Sequence, residues 1–158
     1  MSRSKKRINR NIHCDPKYGS AIIAKFINVI MKDGKKEVSE KIVYKALAIF
    51  EEKTKCKPED TPKRFSELIK DVGPVVDTKA RRVGGSTYQV PFEVKDCDRI
   101  SKGMRILMKV LREKKGIAAY KALAQEILDI LDKKGKAYKE KEAIQKMALA
   151  NKAYAHLA

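Results

Sequence analysis

At 158 residues, 43% of them hydrophobic, the chain is long enough for one domain with a core, and its formal net charge is +17. No apolar run approaches the roughly 20 residues of a membrane span, and the basic start MSRSKKRINRN lacks the apolar segment of a secretory signal. The three cysteines, Cys14, Cys56 and Cys97, are odd in number and widely spaced, so they suggest no disulfide framework. These features point to a reducing compartment and a polyanionic partner, nucleic acid before anionic membrane.

Residues 1–18 show no period and read as a flexible basic N-terminal arm; the helical body is expected over 19–158. Ser20 is placed to cap a helix, and Ile22, Ile23, Phe26, Ile27, Ile30 and Met31 then recur at helical spacing. Asp33-Gly34 stops that helix, because glycine accepts the left-handed turn after a C-terminus. A second helix starts at about Glu37, with Val38, Ile42, Val43, Ala46, Leu47 and Phe50 on one face. Thr61-Pro62 reads as an N-cap with proline at the first helical position. It opens a short third helix with Phe65, Leu68, Ile69 and Val72 inward, ended by Gly73-Pro74.

The period then changes. VVDTKA and STYQV, rich in valine, threonine and tyrosine, flank RRVGG and read as a β-hairpin at about 75–91. A lone hairpin is marginal in water, so this one is expected to lean on helices at its base and project at its tip. Helical period returns at about Asp98, with Ile100, Met104, Leu107, Met108 and Leu111 as an apolar stripe. Lys102, Arg105, Lys109 and Arg112 gather on the opposite side at about 100° per residue. A fifth helix carries Tyr120, Leu123, Ala124, Ile127, Leu128 and Leu131 and ends near Gly135. A lysine-rich sixth runs from about Tyr138 to near the C-terminus. The expected fold class is mainly α: a single domain of about six helices with a protruding basic β-hairpin between helices three and four.

Charge is unevenly spread. Residues 1–20 carry six cations against one anion, 77–115 eleven against five and 133–158 seven against two, while 51–72 is neutral and 116–132 net acidic. Three basic regions separated by ordinary surface are more than a solvated helix face. Catalytic chemistry is not indicated. His13 and His156 lie near opposite ends and join no Ser/His/Asp set. His13-Cys14-Asp15 has no second cluster to complete a zinc site. Asp96 and Asp98 fit a helix start, and GGS at 84–86 lacks the lysine of a phosphate-binding loop. No catalytic residue, metal or cofactor is assigned. Tyr120 reads as core, whereas Tyr88, Tyr138 and Tyr154 are open between stacking on a base and packing. What remains is electrostatics and shape. Lys and Arg in an arm, on a hairpin tip and along a helix suit phosphate contacts, and the arginine fork of Arg81-Arg82 matches phosphate oxygens. That pattern serves RNA and DNA alike.

KARRVGGSTYQVP at 79–91 resembles the hairpin signature of the bacterial-type small-subunit ribosomal protein seven family. DPKYGSAIIAKFINVIMKDGKK at 15–36 resembles that family's first helix and following basic loop, and EKIVYKAL at 40–47 its second helix. ALAQEILD at 122–129 and KMALANKAYAH at 146–156 resemble its last two. The resemblance implies six helices with a hairpin and a structural, non-enzymatic role. That role is to bind the 3′ major domain of small-subunit rRNA, organise the head of the subunit, and lie near the exit-tRNA site and the messenger path. The setting would be the cytoplasm, or an organelle with a bacterial-type ribosome.

Carried over position by position, the resemblance implies RNA contacts by Arg3, Lys5, Lys6, Arg7 and Arg10 of the arm, by Lys17, by the loop Lys35-Lys36, and by Lys79, Arg81 and Arg82 of the hairpin. Arg99, Lys102, Lys109, Lys114 and Lys115 would extend that surface along helix four. The hairpin tip and last helix would face exit-site tRNA and neighbouring proteins, including platform protein eleven. Two stretches depart from the family pattern. VKDCDR at 94–99 replaces a more basic, proline-containing run, and His156-Leu157-Ala158 replaces an aromatic, basic tip.

Overall fold

A computed structural model describes residues 13–157, so Arg3, Lys5, Lys6, Arg7 and Arg10 of the expected arm lie outside the described residues. Within that range the order is α1 (Ala21–Ile30), α2 (Lys36–Thr54), α3 (Thr61–Val72), β1 (Val76–Val83), β2 (Ser86–Glu93), α4 (Asp96–Glu113), α5 (Ala119–Leu131), α6 (Lys136–Ala150) and a final 3-10 helix (Lys152–Leu157). The mainly α class, with a two-stranded antiparallel hairpin between the third and fourth helices, is the one expected from the sequence.

The helical periodicities meet in one core. Ile23, Phe26 and Ile27 of α1, Val43, Leu47 and Phe50 of α2, Phe65 and Ile69 of α3, Met104 and Leu107 of α4, and Leu123 and Ile127 of α5 are all buried in it. Phe26 and Phe65 meet edge to face at 5.2 Å between ring centroids, the arrangement aromatic quadrupoles favour. Truncating such a ring to alanine costs about 3–5 kcal/mol. The α4 stripe is wider than the periodicity suggested, since Ile106 and Val110 are also buried.

Some expected details shift. Val38 is exposed rather than part of the α2 face. The buried arc of α2 runs through Ser39, Val43, Ala46, Leu47 and Phe50, and Val38 lies roughly 120° from its centre on a helical wheel. Leu131, the last residue of α5, is exposed too. Thr61 is the first residue of α3 rather than its cap. It is fully buried, and its hydroxyl donates to Glu51 Oε1 at 2.8 Å, which ties α3 to α2. Ser20 stands at the α1 N-cap with extended backbone but makes no side-chain capping bond. Asp33 and Gly34 both have positive φ and turn the chain after α1.

The approach that fixes the hairpin's root is the crossing of α3 and α4. A Cβ on Gly73 would lie 2.5 Å from the Arg99 carbonyl oxygen, and one on Gly103 would lie 2.4 Å from the Ile69 carbonyl oxygen. Only glycine at both positions lets the two backbones come this close. Gly73 also ends α3, and Pro74 follows it into β1.

Candidate nucleic-acid interface

The hairpin pairs Val76 with Glu93 at its base and Val83 with Ser86 at its tip, leaving Gly84-Gly85 as a two-residue turn. Both glycines have positive φ, 58° and 92°, which is the backbone requirement of the tight turn that suits right-handed strand twist. Every residue from Lys79 to Thr87 is exposed. Strand alternation sets Lys79 and Arg81 on one face, across from Val90 and Tyr88, and Arg82 on the other, across from Thr87. The tip thus offers cations on both faces, with a turn that has no side chains to block close approach.

The base of the hairpin is held by the body. Asp77 is ion-paired to Lys102 of α4, and the Lys102 ammonium also lies 4.7 Å from the centroid of Phe92. The Thr78 hydroxyl donates to the Met147 sulfur of α6 at 3.6 Å. Tyr88 packs on Tyr154 of the 3-10 helix at 4.9 Å between centroids. Of the two roles open to Tyr88, packing is the one it takes here. Tyr138 lies under the Lys141 ammonium at 4.8 Å, and burial pushes that lysine's pKa down.

The cations of α4 are placed differently. The Arg99 Nε donates to the Gly73 carbonyl at 3.0 Å and so caps α3. Lys102 is taken by Asp77, and Lys109 is paired with Glu140 of α6, whose hydrogen bond and charge raise the lysine's pKa. Lys114, just past the end of α4, is paired at 2.6 Å with Glu126 of α5, a carboxylate only 2% exposed. The other oxygen of Glu126 accepts the Ala137 backbone N–H in the first turn of α6 at 2.8 Å. A single buried carboxylate therefore joins the end of α4, the middle of α5 and the start of α6. It sits where the α6 dipole favours negative charge. Sequence reading missed this junction because Glu126 looks like any polar residue in ALAQEILD. Lys115, Arg105 and Arg112 are exposed.

At the other end, Asp15 is buried, and its two oxygens accept the Tyr44 hydroxyl at 2.6 Å and the Tyr18 backbone N–H at 3.0 Å. Lys17 is exposed, with its ammonium 5.2 Å from the Tyr18 ring and 5.3 Å from that of Tyr44. Lys35, at the N-cap of α2, and Lys36, its first residue rather than part of a loop, are exposed, and Lys36 makes a loose pair with Glu40 at 3.8 Å. No helix among the described residues is long and apolar enough to cross a membrane.

Known proteins are similar to this chain along most of its length. The family described as ribosomal protein S7p/S5e matches residues 2–152. The chain is 49% identical over 147 residues to the small ribosomal subunit protein uS7 of Shewanella sediminis, covering 93% of this chain and 92% of that one. It is 45% identical over 156 residues to the protein of the same name from Marinobacter nauticus, covering 99% and 98%. With the match running from the arm into the last turn, the chain belongs to the ribosomal protein S7p/S5e family.

Proposed function

We propose that this structural, non-enzymatic protein of the small ribosomal subunit binds the 3′ major domain of small-subunit rRNA directly and pins several of its helices together as the head assembles. The observation that carries this reading is the hairpin tip. Lys79, Arg81 and Arg82 are exposed around a glycine turn, although the opposite strand packs on the body as far out as Tyr88, across from Arg81. Nothing in the core requires cations there, and arginines on both faces of a thin projection suit two phosphate backbones at once. Lys17, Lys35, Lys36 and Lys115 add exposed positive charge elsewhere on the body, and Arg3, Lys5, Lys6, Arg7 and Arg10 complete the set. Arg99, Lys102, Lys109 and Lys114 contribute less, since each is tied to a different element of the fold. The hairpin and last helix face exit-site tRNA, the messenger path and neighbouring proteins, platform protein eleven among them.

The test is competition. Purified protein is expected to keep a preferred footprint on a transcript of the 3′ major domain in the presence of excess tRNA or duplex DNA. Equal displacement by all three would mean that it binds polyanions without a fixed site.

A further inference from the structure

Asp15 precedes α1 and belongs to no regular element, yet it is one of few buried charged residues, 3% exposed. A carboxylate removed from water is costly unless its oxygens are satisfied. Here both are, by Tyr44 from α2 and by the backbone of Tyr18. Burial, and then the bond to Asp15, push the Tyr44 phenol well above its usual range, so its hydroxyl stays a donor. The turn from Asp15 to Gly19 is closed further by the Gly19 N–H on the Asp15 carbonyl at 2.8 Å. This brings the Tyr18 and Tyr44 rings to 6.2 Å between centroids, with the Lys17 ammonium over both. An exposed lysine normally samples many rotamers and loses that freedom when it grips a phosphate. Two aromatic faces that each attract the ammonium restrict it beforehand.

We infer that Asp15 and Tyr44 are positioning residues for RNA binding, acting through Lys17. They lock the turn that holds this cation over a tyrosine pair, ready for a phosphate. The inference rests on the proposed reading of Lys17 as an rRNA contact and assigns it a mechanism. Tyr44→Phe is the sharpest probe, because it keeps the ring and removes only the hydroxyl that Asp15 holds. Affinity for a 3′ major domain transcript should fall about 3- to 10-fold. The slope of log affinity against log salt should drop by about 0.7–0.9, the worth of one phosphate contact. Thermal melting should fall as well, because one oxygen of the buried carboxylate loses its donor, so dependence on Lys17 is the readout that separates positioning from folding. In a Lys17→Ala background the same change should cost less than about twofold, since coupled residues are non-additive. Asp15→Asn should follow the same pattern and serves if Tyr44→Phe folds poorly. An equal loss with and without Lys17, or no loss where Lys17→Ala itself weakens binding, would overturn the inference. If Lys17→Ala is silent while Arg81→Ala with Arg82→Ala weakens binding, the inference fails and the wider reading stands. If all are silent, the wider reading fails too.

Discussion

The hairpin and α4 follow one another in the chain and are both rich in lysine and arginine, but they use those residues in opposite ways. On the hairpin, Asp77 at the base is drawn off to Lys102, and Lys79, Arg81 and Arg82 toward the tip are exposed. Along α4, acids from β1, α5 and α6 reach back to Lys102, Lys109 and Lys114, and the less exposed pairs, at Lys102 and Lys114, hold the tertiary structure. A basic residue in a sequence is therefore not yet a basic residue offered to a ligand. Its exposure and the groups that surround it in the fold also decide.

The largest effect that sharpens this contrast is expected at Lys114. Removing one partner of a pair with a buried carboxylate costs about 3–5 kcal/mol. Since Lys114 is at the edge of the body, with 15% of its side chain exposed, Lys114→Ala should sit near the lower figure. In a domain of this size that lowers the melting temperature by roughly 6–12 °C. An unchanged melt would move Lys114 into the RNA-binding class. Next comes the hairpin tip. Arg81→Ala with Arg82→Ala should weaken rRNA binding about 10- to 100-fold, from two charge-assisted contacts, and leave helix content and melting nearly unaltered. A large loss of fold would mean that the tip supports the body.

Asp77→Asn should have a smaller, mixed outcome. It frees Lys102 and loosens the hairpin base, so binding to tRNA and duplex DNA should rise a few-fold. The partly buried pair should cost about 1 kcal/mol of stability, read as a slightly lower melting temperature. If rRNA binding collapses instead, the pair aims the hairpin more than it masks a cation. Lys109→Ala is expected to do least. Its pair with Glu140 is exposed and screened, so neither melting nor rRNA affinity should move measurably.

The fold was largely legible because its cues are local. Helical spacing marked most core positions of the apolar helices, though it included the exposed Val38 and Leu131 and missed Ile106 and Val110, and the valine, threonine and tyrosine runs around Gly84-Gly85 specified the hairpin. Breaker residues were read well as boundaries and less well as contacts. Gly73 is legible as a stop, but its approach to Arg99 of α4 depends on an element more than twenty residues away. The same reason hid the partners of the basic residues. Asp77, Glu126 and Glu140 meet their lysines only in three dimensions, and Asp15 meets Tyr44 29 residues on. Periodicity reports which face of an element is buried and says nothing about which charge it meets there.

The central claim is that the hairpin's cations serve RNA while the ion-paired lysines of α4 do not, and the salt dependence of rRNA affinity tests it most directly. The slope of log affinity against log salt should shrink by about 1.4–1.8 in Arg81→Ala with Arg82→Ala, two phosphates' worth. It should stay within about 0.3 of wild type in Lys102→Ala with Lys109→Ala. A slope that falls as far or further in the α4 pair than in the hairpin pair would contradict the account.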